Sequence, residues 1–198
     1  MQLELDKIVN TTLYLAEKVP DLYFTKYLKL VYYFDFISVL ERGVPVTRDT
    51  YYHLPLGPIP SFIKNQINLL DKQAQNAEKE IYGKFASTGS IFNDVIALAR
   101  EKSNNGLKIK PKNGKKANLD CLSQYEKELL DDIIGEFSSF TVKKIVDKTH
   151  EETPYKQTAA NNIIDYRLAF YLDISKILPK RNYESNKELS QMEYFSAA

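Results

Sequence analysis

The run YLKLVYYFDFISVL from Tyr27 to Leu40 constrains the fold more than any other part of the chain. It contains no Gly or Pro, and at 100° per residue its Leu, Val, Ile, Tyr and Phe side chains point almost all the way round. A helix with that pattern has to be enclosed by other elements. Its fourteen residues span roughly 21 Å, enough to cross a small domain but short of a bilayer. Lys29 and Asp35 inside the run argue the same way.

The polar exceptions divide into two groups. Asp35, Ser38 and Arg42 fall within about 60° on the helical wheel and form the expected exposed or partner-facing strip. Lys29 instead falls among Tyr33, Phe36 and Leu40, so either its stem packs while the ammonium reaches water, or a carboxylate meets it in a half-buried site.

Around this helix, 198 residues are enough for one domain that buries about 70% of its unfolded surface. The expected architecture is mainly α (α+β): a compact helical domain over 1–180, built around the central buried helix with a small β-hairpin. A polar tail follows over 181–198. The net charge of +1 gives no overall field that would favour nucleic acid or an anionic membrane. The single cysteine, Cys121, rules out an internal disulfide and suits a reducing, cytoplasmic setting. The start, Met1-Gln2-Leu3-Glu4, shows no basic, apolar leader pattern.

In chain order, an apolar stripe predicts a helix over about 4–18, closed by Pro20, with Thr25 as N-cap of the central helix. Gly43 suits a left-handed helix end and Pro45 prevents continuation. Tyr51-Tyr52-His53 reads as a short extended run, and Pro55, Pro58 and Pro60 with Gly57 as a rigid loop. Ser61 is placed to cap a following amphipathic helix.

Further on, Ile81–Phe85 suggests a strand and Ile91–Arg100 a short helix. Leu107–Lys110 alternates like a strand, and Asn113-Gly114 signals a hairpin near 106–119. That region carries Lys108, Lys110, Lys112, Lys115 and Lys116. They either guard an exposed strand edge or form a docking patch for an acidic partner or phosphate backbone. Ser123 and Glu126 form a capping box ahead of a helix with Leu129, Leu130, Ile133, Ile134 and Phe137. A second helix covers 141–149, and a last one runs from Thr158 to about Ile177.

Sites of catalysis and metal binding find little support. Cys121 beside a capping box reads as a small buried residue and not as a nucleophile. Two histidines and one cysteine cannot complete a four-ligand zinc site. Phosphate-cradling glycine motifs are absent. His150, between Thr149 and Glu151, reads as a ring bonded to a backbone group at a helix end. His53, in an aromatic and Pro-rich stretch, is a candidate for packing or an interface. No cofactor, metal or catalytic residue is expected.

The ordered set Lys29-Leu30-Val31-Tyr32-Tyr33, Gly43, Pro45-Val46-Thr47, Tyr51 and Gly57-Pro58-Ile59 resembles the signature of the SocA-like Panacea antitoxin domain, a family also found in phage-associated proteins. Thr149-His150, with Glu152 and Pro154-Tyr155, is similar to its second motif. Phe34 and Asp35 stand where the family commonly has small residues, and Tyr155 where it often has Trp. The resemblance implies a bacterial, cytoplasmic antitoxin, in a toxin–antitoxin system or phage defence, that neutralises a cognate toxin by direct protein–protein contact without enzymatic activity. The surface assigned to that contact is Asp35, Ser38, Arg42, Tyr51, Tyr52, His53, Pro55 and Pro58, since rigid aromatic and Arg anchors lose little entropy on binding. The terminal Ala197-Ala198 is similar to bacterial degradation tags and implies a cellular protease as a further partner. The alternative function is a DNA-binding regulator using a helix-turn-helix-like segment over 123–149, although nucleic acid is not the default partner.

Overall fold

The computed structural model describes residues 4–77, 89–101 and 106–181. In chain order come α1 (Leu5–Lys18), α2 (Phe24–Arg42), the hairpin β1 (Tyr51–Leu54) and β2 (Gly57–Pro60), and α3 (Ser61–Ala77). Then come the hairpin β3 (Ile96–Arg100) and β4 (Leu107–Pro111), α4 (Gln124–Phe137), α5 (Val142–Glu151), and the single turns α6 (Thr153–Lys156) and α7 (Ile174–Ile177). The architecture is α-dominant with two small antiparallel hairpins.

As the hydrophobic pattern demands, α2 is the axis, with every residue from Lys26 to Leu40 buried. It begins before the expected cap. Tyr23 takes the N-cap position with extended backbone, because it bridges to Lys108, and Thr25 lies inside the helix. At the other end Gly43 closes the helix at φ 75° with its N–H on the Val39 carbonyl. Tyr33 stacks on Phe137 of α4 at 4.7 Å, joining the axis to the second half of the chain.

Four local expectations are corrected. The Pro-rich stretch is a paired strand, β2, in which Pro58 faces His53 and Pro60 faces Tyr51. Proline fits there because β2 pairs along one edge only. The helix expected over Ile91–Arg100 is a turn followed by β3, which pairs with β4 and buries Ile96 and Ile109. Pairing overrides a helical spacing of only a few apolar residues. The hairpin therefore closes through the connection before β4, and Asn113-Gly114 is a turn without a second strand. The helix expected over 158–177 is replaced by an extended crossing of β1, a 3-10 stretch Tyr166–Tyr171, and α7. Three backbone bonds to β1 hold the crossing: His53 N–H to Asn162, Asn161 N–H to His53, and Ile164 N–H to Tyr51. A left-handed Asn161 starts it.

The start of α3 shows a cap that sequence spacing does not reveal. Asp49, from twelve residues upstream of Ser61, accepts from the N–H groups of Phe62 and Ile63 at 2.9 Å each. Its carboxylate fills the role expected of Ser61. The capping box at Ser123 and Glu126 is present as read, and Thr141 caps α5. The strand expected over Ile81–Phe85 lies outside the described residues.

Candidate functional site

Two segments more than a hundred positions apart meet behind the β1–β2 hairpin. From α2, Lys29 projects toward Gly57 and Pro58; from α5, Thr149 approaches the same glycine. Lys29 is completely buried, and its Nζ donates to the Pro58 carbonyl at 2.7 Å. Neither sequence-level alternative holds, since the ammonium neither reaches water nor meets a carboxylate. Burial without an anionic partner pushes its pKa well below the ordinary lysine value.

Gly57 has φ +96°, a region L side chains rarely adopt. A Cβ there would lie 2.8 Å from Thr149 Oγ1 and 2.9 Å from Lys29 Nζ. The glycine is thus required twice, by its dihedral and by the close approach of α2 and α5.

Next to this junction the ring of Tyr155 lies between two histidines. His150 stacks on it with centroids 4.4 Å apart and His53 at 3.7 Å. His53 Nδ1 also bonds the Tyr155 carbonyl, and the Tyr155 hydroxyl donates to the Leu54 carbonyl. β1 is therefore riveted to α5 and α6. The ring of His150 does not bond a backbone group as expected: its buried Nε2 has no hydrogen-bond partner among the described residues. Burial, and then the charge of Lys29, lower its pKa.

Glu152 completes the inner side. It accepts from the Tyr33 hydroxyl at 3.3 Å, and burial raises its carboxyl to about 7 against the opposing effects of Lys148 and that hydrogen bond. The Tyr32 hydroxyl, close enough to feel the Glu152 charge, is buried without a partner among the described residues.

Further along α2, the strip of Asp35, Ser38 and Arg42 is not the exposed surface expected from the wheel. Residues 43–50 fold back over it. Asp35 is completely buried and accepts from Thr47 N–H at 2.7 Å, the Thr47 hydroxyl, Tyr51 Oη at 2.8 Å and Tyr166 Oη at 3.3 Å. Burial lifts its pKa to about 6, opposed by the hydrogen bonds from Thr47 and Tyr51. Ser38 is buried on the Val44 carbonyl. Only Arg42 is exposed, lying over the Tyr125 ring at 4.5 Å.

The structure therefore divides the residues picked from sequence. Lys29, Tyr32, Tyr33, Gly57, Pro58, Thr149 and His150 converge at one buried junction, whereas Gly43 and Pro45 shape the turn after α2. Tyr51 and Pro58 are buried, Tyr52 and His53 half-buried, and Pro55 exposed at the hairpin tip. Sequence reading missed Tyr155 as the double stacking platform, Tyr166 as a partner of Asp35, and two exposed apolar residues flanking β1. These are Leu56 at the tip, 56% exposed, and Ile163, 57% exposed and paired with Tyr52. A lone leucine between Pro55 and Gly57 was the available signal for the first; the second depends on the chain crossing β1.

The helix pair expected to resemble a helix-turn-helix exists as α4 and α5, but its outer faces suit a phosphate backbone poorly. Glu128, Asp131 and Asp132 are exposed on α4, and on α5 Asp147 and Glu151 are exposed beside Lys143 and Lys144, with Lys143 paired to Asp147. Cys121 is half-buried. Among the described residues, no group of three or more His, Cys, Asp or Glu side chains is placed to hold a metal ion, and no helix is long and apolar enough to cross a membrane.

Residues 28–156 match the family model described as "Antitoxin SocA-like, Panacea domain", a span that takes in both segments of the buried junction. Comparison with curated proteins and with solved structures gives no match.

Proposed function

The chain belongs to the family of SocA-like antitoxins that carry the Panacea domain, and on that premise we propose that it neutralises a cognate protein toxin by direct protein–protein contact. The setting proposed is the reducing bacterial cytoplasm, within a toxin–antitoxin system or phage defence. The observation that carries the placement of the contact is the construction of the β1–β2 hairpin. Its inner side is fixed by Lys29, Gly57, Thr149 and the His150–Tyr155–His53 stack, while its outer side carries Tyr52, Pro55, Leu56 and Ile163. Tyr52 and His53 alternate across β1, so the stacked His53 serves to hold the strand. Tyr52 and Ile163, as a directly opposed pair, share the outer face.

Such a hairpin binds with small ordering cost, because its backbone is already fixed before a partner arrives. Exposed apolar side chains beside a half-buried aromatic, on a rigid support, are the usual anchors of a protein interface. Asp35, Ser38, Tyr51 and Pro58 hold up this surface from within, and Arg42 lies against α4.

The test is co-expression with the product of the neighbouring open reading frame, scored for growth rescue and for co-purification of the two chains. Rescue with a stable complex supports direct neutralisation. A harmless neighbour, or rescue without a complex, removes it.

A further inference from the structure

The lysines of β4 and the following loop are not explained by protection of a strand edge. The edge of β4 away from β3 is already occupied: Ile109 N–H donates to the Leu22 carbonyl at 2.9 Å, and Tyr23 bridges to Lys108. Beyond the strand, Lys112 N–H donates to Val95. An edge that is covered needs no lysines to keep other strands away.

Two of the five lysines also have internal work. Lys108 pairs with Asp21 at 2.8 Å and with Glu101. Lys112 donates to the Asn93 carbonyl. Lys110, Lys115 and Lys116 are exposed, and among the described residues none forms an ion pair.

Lys110 meets a further cation from the first helix. Lys18, at the end of α1, and Lys110 line the same groove of about 210 Å³ between the α1–α2 turn and β4. The loop bearing Lys115 and Lys116 is fastened beside it, since Ala117 N–H donates to Glu17 Oε1 at 2.7 Å and Asn118 N–H to Asn10 Oδ1 at 2.9 Å. Glu17 is thereby engaged, and so is Asp21 through Lys108.

We infer that the groove lined by Lys18 and Lys110, with Lys115 and Lys116 on the loop fastened next to it, is a docking site for a short acidic segment of a partner protein. Charge complementarity selects the occupant. Lys18 and Lys110 in the groove and Lys115 and Lys116 on the adjoining loop match a few carboxylates on a peptide, Glu17 and Asp21 of the lining being held by Ala117 and Lys108. Duplex DNA carries a charge about every 1.7 Å, a longer array than a groove of this size can hold. The site does not depend on the proposed toxin contact and lies on different elements.

The test uses fluorescence anisotropy with a labelled oligoglutamate peptide and, separately, a short DNA duplex, at low and at high salt. The full chain is compared with a Lys110→Glu, Lys115→Glu, Lys116→Glu variant, the same three changed to Gln, and a Lys143→Glu, Lys144→Glu control on α5. Circular dichroism verifies folding, and the Gln set gives the reading if charge reversal disturbs it. The expected result is oligoglutamate binding that weakens about tenfold or more in the groove variants and at high salt, with the α5 control unchanged. Absent peptide binding, binding indifferent to the groove variants, equal loss in the α5 control, or tighter binding of the duplex would each overturn the inference.

Discussion

The Lys29 amine donates to the Pro58 carbonyl at 2.7 Å with neither residue exposed, tying the central helix to the strand that forms half of the candidate binding hairpin. The bond explains why a lysine stands on an otherwise apolar face. A buried proline strand has carbonyls that need donors, and a long, flexible amine can supply one from a neighbouring helix.

Replacing Lys29 with Met keeps the length of the stem and removes the donor. With its folded pKa depressed, Lys29 holds fewer protons in the native than in the unfolded state, so its contribution to stability rises with pH toward the ordinary lysine value. Urea unfolding of the wild type and of Lys29→Met is expected to show the difference moving in favour of the wild type between neutral and alkaline pH. A difference independent of pH would contradict the buried, unpaired amine.

Gly57→Ala is expected to cost about 2 kcal/mol or more, from backbone strain together with the clash on Thr149 and Lys29. Adding Thr149→Ala relieves one contact but not the positive φ, so the double variant recovers only part of the loss. Chemical denaturation of the two variants measures both steps; full recovery would show that the dihedral is not strained.

Asp35 gives a separate pH signature. Its folded pKa of about 6 lies above the ordinary value, so its contribution is most favourable in acid and is lost as pH rises from about 4 to about 6. Across that interval the stability difference between wild type and Asp35→Asn is expected to shift by about 3 kcal/mol against the wild type. Unfolding curves at several pH values across the interval test it, and a flat difference would contradict it.

Asp49→Ala removes the acceptor for two N–H groups at the start of α3. A loss of about 1–2 kcal/mol is expected. Amide exchange should accelerate at Phe62 and Ile63 beyond the general loss of protection, and unchanged relative exchange would place the cap elsewhere.

The central helix was legible because a segment apolar on all sides has only one environment available to it. Gly43, the Ser123 box and α4 were legible because each depends on neighbours in sequence. Lys29 and Asp35 were not, because the wheel shows direction and not what folds back upon it: residues 43–50 and Tyr166 cover Asp35, and Pro58 reaches Lys29. The crossing of β1 by residues 161–164 was hidden for the same reason. Its register is set by the backbone of β1, and the apolar spacing of Ile163, Ile164 and Leu168 fits a helix equally well. The motif residues were picked out one by one, but their convergence required the fold.

The most direct measurement is the affinity of the chain for the co-purified toxin, by titration calorimetry, comparing wild type with a Tyr52→Ala, Leu56→Ala, Ile163→Ala variant shown to unfold at the same urea concentration. Contact through the outer face of the hairpin calls for a loss of about 2 kcal/mol or more, a weakening on the order of thirtyfold, together with failure to rescue growth. Unchanged affinity and full rescue by the folded variant would contradict that placement.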